Sequence, residues 1–243
     1  SSIYYDGRKN FELISNVKEN IKSCINAENK NQIFFTSGGT EGNNWIIRGY
    51  IDYLYKTKEC YKIHKDYKPH IITDTIEHHS VLNTCKFLEE LDLIEVTYLK
   101  PNIQTGTILP EEVYAHIRYN TELVSIMFAN NVLGTYHNIK SIGRICKEKN
   151  IKFHTDAVQA IGKKEIDIKY LNVDFLTCSG HKIHTPKGIG FVYIKEPKKI
   201  CPLLHGGLQE FGLRAGTENI PYIQALDYCI KKYTNEEYLL NKN

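Results

Sequence analysis

Between Ser179 and Gly190 the chain forms a loop rich in small residues, following an apolar segment that ends at Cys178 and carrying Lys182 near its start. A lysine so placed can lose hydration, which disfavours the ammonium and leaves a nucleophilic amine able to condense with a carbonyl cofactor. Taken alone, a lysine in such a loop is also an ordinary surface residue.

Upstream residues add to the first reading. Phe153 to Ala160 reads as a short strand ending in Asp156, with Gln159 three residues on. A carboxylate at a strand's end can pair with a protonated ring nitrogen, and an amide can hydrogen-bond a phenolic oxygen; pyridoxal phosphate has both groups. Asp156 also suits a plain helix N-cap. A Gly-rich turn, Thr36 to Asn44, lies between a strand at Gln32 to Phe35 and a helix running through Trp45, Ile46, Ile47 and Tyr50. Its free amides and the positive end of the helix dipole suit a phosphate. No Gly-Lys-Ser or Gly-Lys-Thr closes the turn, so it is not a nucleotide P-loop, and a capped helix start suits the same residues.

The remaining elements alternate. Gly7 to Asn26 predicts an amphipathic helix on Phe11, Ile14, Val17, Ile21 and Cys24. Lys68 to Asp74 predicts a strand that leads to Glu77, His78, His79 and Ser80, then a helix through Val81, Leu82, Cys85 and Leu88. Further strands are expected at Leu93 to Leu99, Leu123 to Ala129, Ile151 to His154, Asp174 to Cys178 and Gly190 to Ile194, the last antiparallel or at the sheet edge. Helices are expected after Pro110, over Ile139 to Cys146 and over Glu218 to Tyr233, the last with a core-packing stripe of Ile223, Leu226, Ile230 and Tyr233. This order argues for an α/β fold, mainly a parallel sheet with crossover helices, and chemistry just past the strand ends.

Three runs, His154 to Gly162, Val173 to Gly190 and Arg214 to Pro221, resemble the NifS-type cysteine desulfurases of the class V aminotransferase family, and the resemblance extends over nearly the whole chain. It implies the large domain of a pyridoxal-phosphate-dependent transferase of the aspartate aminotransferase type. By the same resemblance Lys182 holds the cofactor aldehyde and His78 stacks on its ring and shuttles protons, while a histidine that merely opens a helix is the plainer reading of His78. Gly39, Thr40, Ser179 and His181 would contact the phosphate. Asn131 and Gln159 would meet the phenolic oxygen, and Asp156 the ring nitrogen. Thr217 would touch the phosphate of a second copy in a homodimer with shared sites.

The chain departs from the pattern at three points. Gly39 stands where the family usually has alanine, which is expected to loosen the turn. Val132 stands where glutamate is common, as in another desulfurase subgroup. Leu208 replaces the third glycine of a Gly-Gly-Gly-Gln-Glu loop, where a positive backbone dihedral would be strained.

The implied reaction takes L-cysteine to alanine and leaves its sulfur as a persulfide on an enzyme cysteine, for a sulfur acceptor or iron–sulfur scaffold. In the family that cysteine, and an arginine for the substrate carboxylate, lie in a C-terminal domain. The chain is accordingly expected to be one cofactor-binding domain over 1–243, lacking the family's N-terminal segment and C-terminal small domain. Cys178, at the end of a buried strand, and Cys201 are poor candidates for the nucleophile. A cofactor-binding or dimerising module without catalysis, and a selenocysteine lyase or other member of the family, stand as alternatives.

Composition bounds these readings. The 243 residues are 42% hydrophobic, enough for one sizeable core. Lys and Arg total 31 against 28 Asp and Glu, and the net charge of +3 implies neither nucleic acid nor membrane as a partner. The seven cysteines form no CxxC pair, which argues against a disulfide framework or zinc site, and no metal is expected. No run approaches the roughly 20 apolar residues of a membrane span. Ser1 to Lys9 carries no signal pattern. The expectation is a soluble protein of the cytoplasm or another reducing intracellular compartment.

Overall fold

The computed structural model describes residues 5–63 and 67–234. Ser1, Ser2 and the residues leading to Asn243, all within the domain expected over 1–243, lie outside the described residues.

In chain order the elements are α1 (Tyr5–Cys24), β1 (Ile33–Thr36), α2 (Gly39–Thr57), α3 (Glu59–Ile63), β2 (His70–Asp74), α4 (His79–Glu90), β3 (Glu95–Leu99), α5 (Pro110–Ala115) and β4 (Thr121–Ser125). There follow α6 (Ile139–Glu148), β5 (Lys152–Asp156), α7 (Ile168–Leu171), β6 (Phe175–Ser179), β7 (Gly190–Ile194) and α8 (Ile220–Tyr233). One seven-stranded sheet has the order β1-β7-β6-β5-β4-β2-β3. Its pairings from β6 through β3 are parallel, and β7 alone runs antiparallel to both neighbours. The antiparallel direction of β7 agrees with expectation. Of the two alternatives the structure takes the antiparallel one, with β7 inside the sheet and β1 at that edge.

Strand residues alternate between two apolar layers, as the period of two in a pleated strand requires. Ile72, Val124, Leu176, Phe191 and Tyr193 face the layer closed by α1, α5, α6 and α8, where Ile21, Val113, Ile142 and Leu226 pack. Ile71, Leu123, Phe175, Val192 and Ile194 face α2 and α4, where Trp45, Ile46, Ile47, Ile51, Val81 and Leu88 pack. The stripe of α8 is core as expected, with Ile223, Leu226 and Ile230 buried and Tyr233 half-buried. On α1, Val17 and Ile21 are buried but Phe11 is exposed, so the packed face starts later than its spacing suggested.

Candidate active site

The C-terminal ends of β1, β5 and β6, with the segment after β2, open into one cleft of about 300 Å³. Such strand ends are where open α/β sheets take ligands.

At one end the turn after β1 enters α2 through Gly38, whose φ of +147° suits glycine and whose added Cβ would lie 3.4 Å from Ser179 Oγ. Helix α2 has no side-chain cap, so the amides of its first turn are left for solvent or a ligand. Gly39 is the first residue of α2, and a Cβ there would come within 2.9 Å of Val158 Cγ2. Opposite, Ser179 ends β6, and its Oγ lies 2.9 Å from His181 Nδ1. Partial burial, then the charges of Lys182 and Lys187, push His181 below its ordinary value. Lys182 lines the cleft but is exposed, so the loss of hydration expected from its loop is not supplied by the surrounding side chains.

At the other end Asp156, Asn43 and Ser80 are buried and joined to one another and to an exposed His78. Asp156, at the end of β5, accepts from Val158 N–H at 2.9 Å and from Asn43 Nδ2 at 2.7 Å. Asn43 Nδ2 also donates to Ser80 Oγ at 2.8 Å, and Ser80 Oγ lies 2.8 Å from His78 Nδ1. The Ser80 amide donates to the same Nδ1 at 3.1 Å, so His78 caps α4 and lines the cleft at once. With its Nδ1 accepting, the neutral ring carries its proton on Nε2. Burial pushes Asp156 up, against the hydrogen bonds from Asn43 and Val158 and the nearby His78. Gln159 spends its carbonyl on Lys163 Nζ at 2.7 Å, which leaves its NH₂ as the donor for the cleft. Asn131 lines the cleft from an exposed turn after β4.

Nine of the ten expected site residues therefore meet in this cleft. Thr217 does not: it lines a separate hollow of about 190 Å³ with Arg214, Ser37 and Glu210. At Leu208 the φ is −88°, so no strain arises there; the left-handed residues are Glu210, Phe211 and Gly212. Cys178 is fully buried in β6, and burial pushes its thiol well up.

Asn43 and Ser80 were missed by sequence reasoning. Asn43 had a legible signal, since it lies three, four and seven residues before Ile46, Ile47 and Tyr50, on the stripe that packs against the sheet. The buried Asp74 and Glu77 were missed as well. Glu77 is buried with neither carboxyl oxygen in a hydrogen bond; the amides of Met127 and His78 favour its charge without reaching bonding geometry. Burial and the charges of Asp74 and Asp156 push Glu77 up. Among the described residues no group of His, Cys, Asp or Glu could hold a metal, and no helix is long and apolar enough to cross a membrane.

The sequence profile of the family described as "Aminotransferase class-V" matches residues 1–238, and the chain belongs to that family. It is 48% identical over 236 residues to a protein of Methanosarcina thermophila named cysteine desulfurase IscS, a match covering 97% of this chain and 55% of the relative. The chain thus spans about half the length of the curated relatives it matches. A solved structure described as "SspA in complex with cysteine" superposes with a TM-score of 0.85 at 39% identity, covering 95% of this chain and 63% of that one. A NifS-like protein superposes with a TM-score of 0.87 at 35% identity, covering 98% and 62%.

Proposed function

We propose that the cleft binds pyridoxal 5′-phosphate and that residues 1–243 are the cofactor-binding domain of a cysteine desulfurase, which takes L-cysteine to L-alanine and passes the sulfur to a cysteine thiol as a persulfide. The observation that carries this reading is the convergence of nine expected residues on one cleft around a buried carboxylate, Asp156, that has only neutral hydrogen-bond donors. A buried carboxylate without a cation is unfavourable, and a protonated ring nitrogen is the partner it lacks. The uncapped start of α2, with Ser179 and His181 opposite, is a donor set suited to a phosphate.

When bound, the cofactor supplies an electron sink for charge that develops on the substrate's α-carbon. The chain's own residues do the rest. Asn43 and Val158 hold Asp156 in place, and the Gln159 NH₂ and Asn131 are donors for the phenolic oxygen. His78 offers a flat ring whose Nε2 proton points away from Ser80. Lys182, which lines the cleft, would hold the cofactor's aldehyde, and its amine is the cleft's candidate for moving a proton at the substrate's α-carbon.

None of the seven cysteines, all within the described residues, lines the cleft. In this reading the sulfur-receiving thiol comes from beyond these 243 residues, and sulfide release by this length of chain is weak or absent. The same observation favours, as a second reading, a module that binds cofactor and dimerises without catalysis. Thr217, apart from its own chain's cleft, suits a homodimer in which it meets the partner's phosphate. Free cysteines throughout suit a reducing compartment.

The test is to mix the protein with pyridoxal phosphate, reduce with borohydride and map the product by mass spectrometry. A pyridoxyl group on Lys182 is expected; none, or one on another lysine, removes the assignment. Sulfide release from cysteine that survives replacement of each cysteine in turn would overturn the account of the thiol.

A further inference from the structure

Glu41 presents a difficulty for a cleft that takes an anion. Its side chain belongs to the first turn of α2 and lines the cleft with Ser37, Gly38 and Thr40. A carboxylate there repels a phosphate. Burial pushes Glu41 up, but the hydrogen bonds from Arg214 and Ser37 outweigh it and hold the carboxyl below its ordinary value, so the group is ionised.

The structure answers that charge from a distant segment. Arg214 Nε donates to Oε1 at 2.8 Å and its Nη2 to Oε2 at 3.0 Å, a two-pronged pair with side-chain exposures of 20% and 11%. The Ser37 amide donates to the same Oε2 at 2.8 Å. The loop that brings Arg214 is itself anchored: Glu210 is buried, pairs with Lys18 and accepts from the Phe35 amide at 3.2 Å. Glu210 and Phe211 hold φ values of 47° and 59°, a left-handed pair that persists only where surrounding contacts impose it. The loop therefore grips the end of β1 at Phe35 and the start of α2 at Glu41.

We infer that Arg214 is a positioning residue for anion binding: its pairing with Glu41 fixes the turn between β1 and α2 and cancels the negative charge that this turn would present to the cofactor's phosphate. The inference rests on the reading that the cleft takes a phosphorylated aldehyde.

Two ligands that differ only in the phosphate test it, pyridoxal phosphate and pyridoxal, titrated against the protein and its variants. Arg214→Ala is expected to weaken pyridoxal phosphate about 30-fold and pyridoxal less than about threefold, because the unpaired Glu41 charge acts on the phosphate. Combining Arg214→Ala with Glu41→Gln is expected to recover most of the loss, although both side chains of the pair are then gone. Equal weakening of the two ligands, or no recovery in the double variant, overturns the inference and leaves the cleft's cofactor intact. Wild-type protein that binds neither ligand instead overturns the reading of the cleft, and the inference with it. Should Arg214→Ala fail to fold, Arg214→Lys keeps the charge and loses the two-pronged grip; a loss of about threefold confined to the phosphorylated ligand is expected, and an equal loss for both overturns the inference.

Discussion

The two ends of the cleft are built in opposite ways. Around Asp156 a buried pair, Asn43 at 0% and Ser80 at 7% exposure, joins the buried carboxyl to the exposed ring of His78 through side-chain hydrogen bonds. At the far end Thr40, His181 and Lys182 are exposed, and the donors include backbone amides of an uncapped helix. A buried polar chain must be satisfied for the fold to hold its shape, whereas exposed donors are satisfied by water until a ligand replaces it. The ring end is thus part of the stability of the protein, and the phosphate and lysine end contributes only when occupied. A substitution at the first end should register in both folding and binding, and one at the second in binding alone.

Exchanging one residue at each end gives the largest expected contrast. Lys182→Ala should abolish the borohydride adduct and leave unfolding stability within about 0.5 kcal/mol, as for exposed substitutions generally. Asp156→Asn should weaken pyridoxal phosphate by about 100-fold through loss of the charge partner. Without ligand it should also lose stability, because an amide has one acceptor oxygen where the Asp156 carboxyl accepts from both the Val158 amide and Asn43 Nδ2. Denaturant midpoints and ligand titrations read both quantities. An Asp156→Asn protein that binds as wild type does would erase the contrast.

Acidity offers a second handle on the ring end. Burial pushes Asp74 up to about 7, and burial with the Asp74 and Asp156 charges raises Glu77. A carboxyl whose folded value is raised adds stability that is complete below its unfolded value and is lost as pH rises through the folded one. The buried histidines His70, His137 and His154 act the other way, since burial lowers them to about 4, 4 and 3, and protonation of the unfolded chain weakens the fold below about 6.5. The carboxyl effect is therefore isolated between about pH 6.5 and 8, where stability of the unliganded protein should fall with rising pH. Glu77→Gln should flatten that slope, and a slope unchanged in this variant would show that Glu77 does not titrate with the fold.

How much of this was legible depended on distance along the chain. Asp156 ends a strand, and Lys182 and His78 each follow one within a few residues, so strand pattern and residue type located them together. The strand directions were legible from alternation, but the interior position of β7 was not, because it depends on β1 joining the sheet beyond it. The exposure of Lys182 was hidden for a related reason: an apolar strand before a loop says nothing of what covers the loop. The Lys18–Glu210 and Arg214–Glu41 pairs join residues 192 and 173 positions apart, and no local pattern announces them. Asn43 sat in plain view on an apolar helix stripe, where a polar residue signals a buried partner.

The smallest expected effect tests the contrast most directly, because it compares two hydroxyls of similar chemistry at opposite ends. Ser80 is buried and its Oγ links Asn43 Nδ2 to His78 Nδ1. Ser80→Ala removes that link and leaves one Asn43 hydrogen without an acceptor, which should cost about 1 to 2 kcal/mol of stability. The Ser80 amide still donates to His78 Nδ1, so the ring should keep its orientation, and ligand affinity should fall only severalfold. Thr40 is exposed, and Thr40→Ala should leave stability within about 0.5 kcal/mol while weakening pyridoxal phosphate by a similar severalfold. Thermal or denaturant unfolding beside a ligand titration separates the two cases. If both variants lose stability equally, the ring end is no more a part of the folded framework than the phosphate end, and the difference in burial carries no energetic meaning.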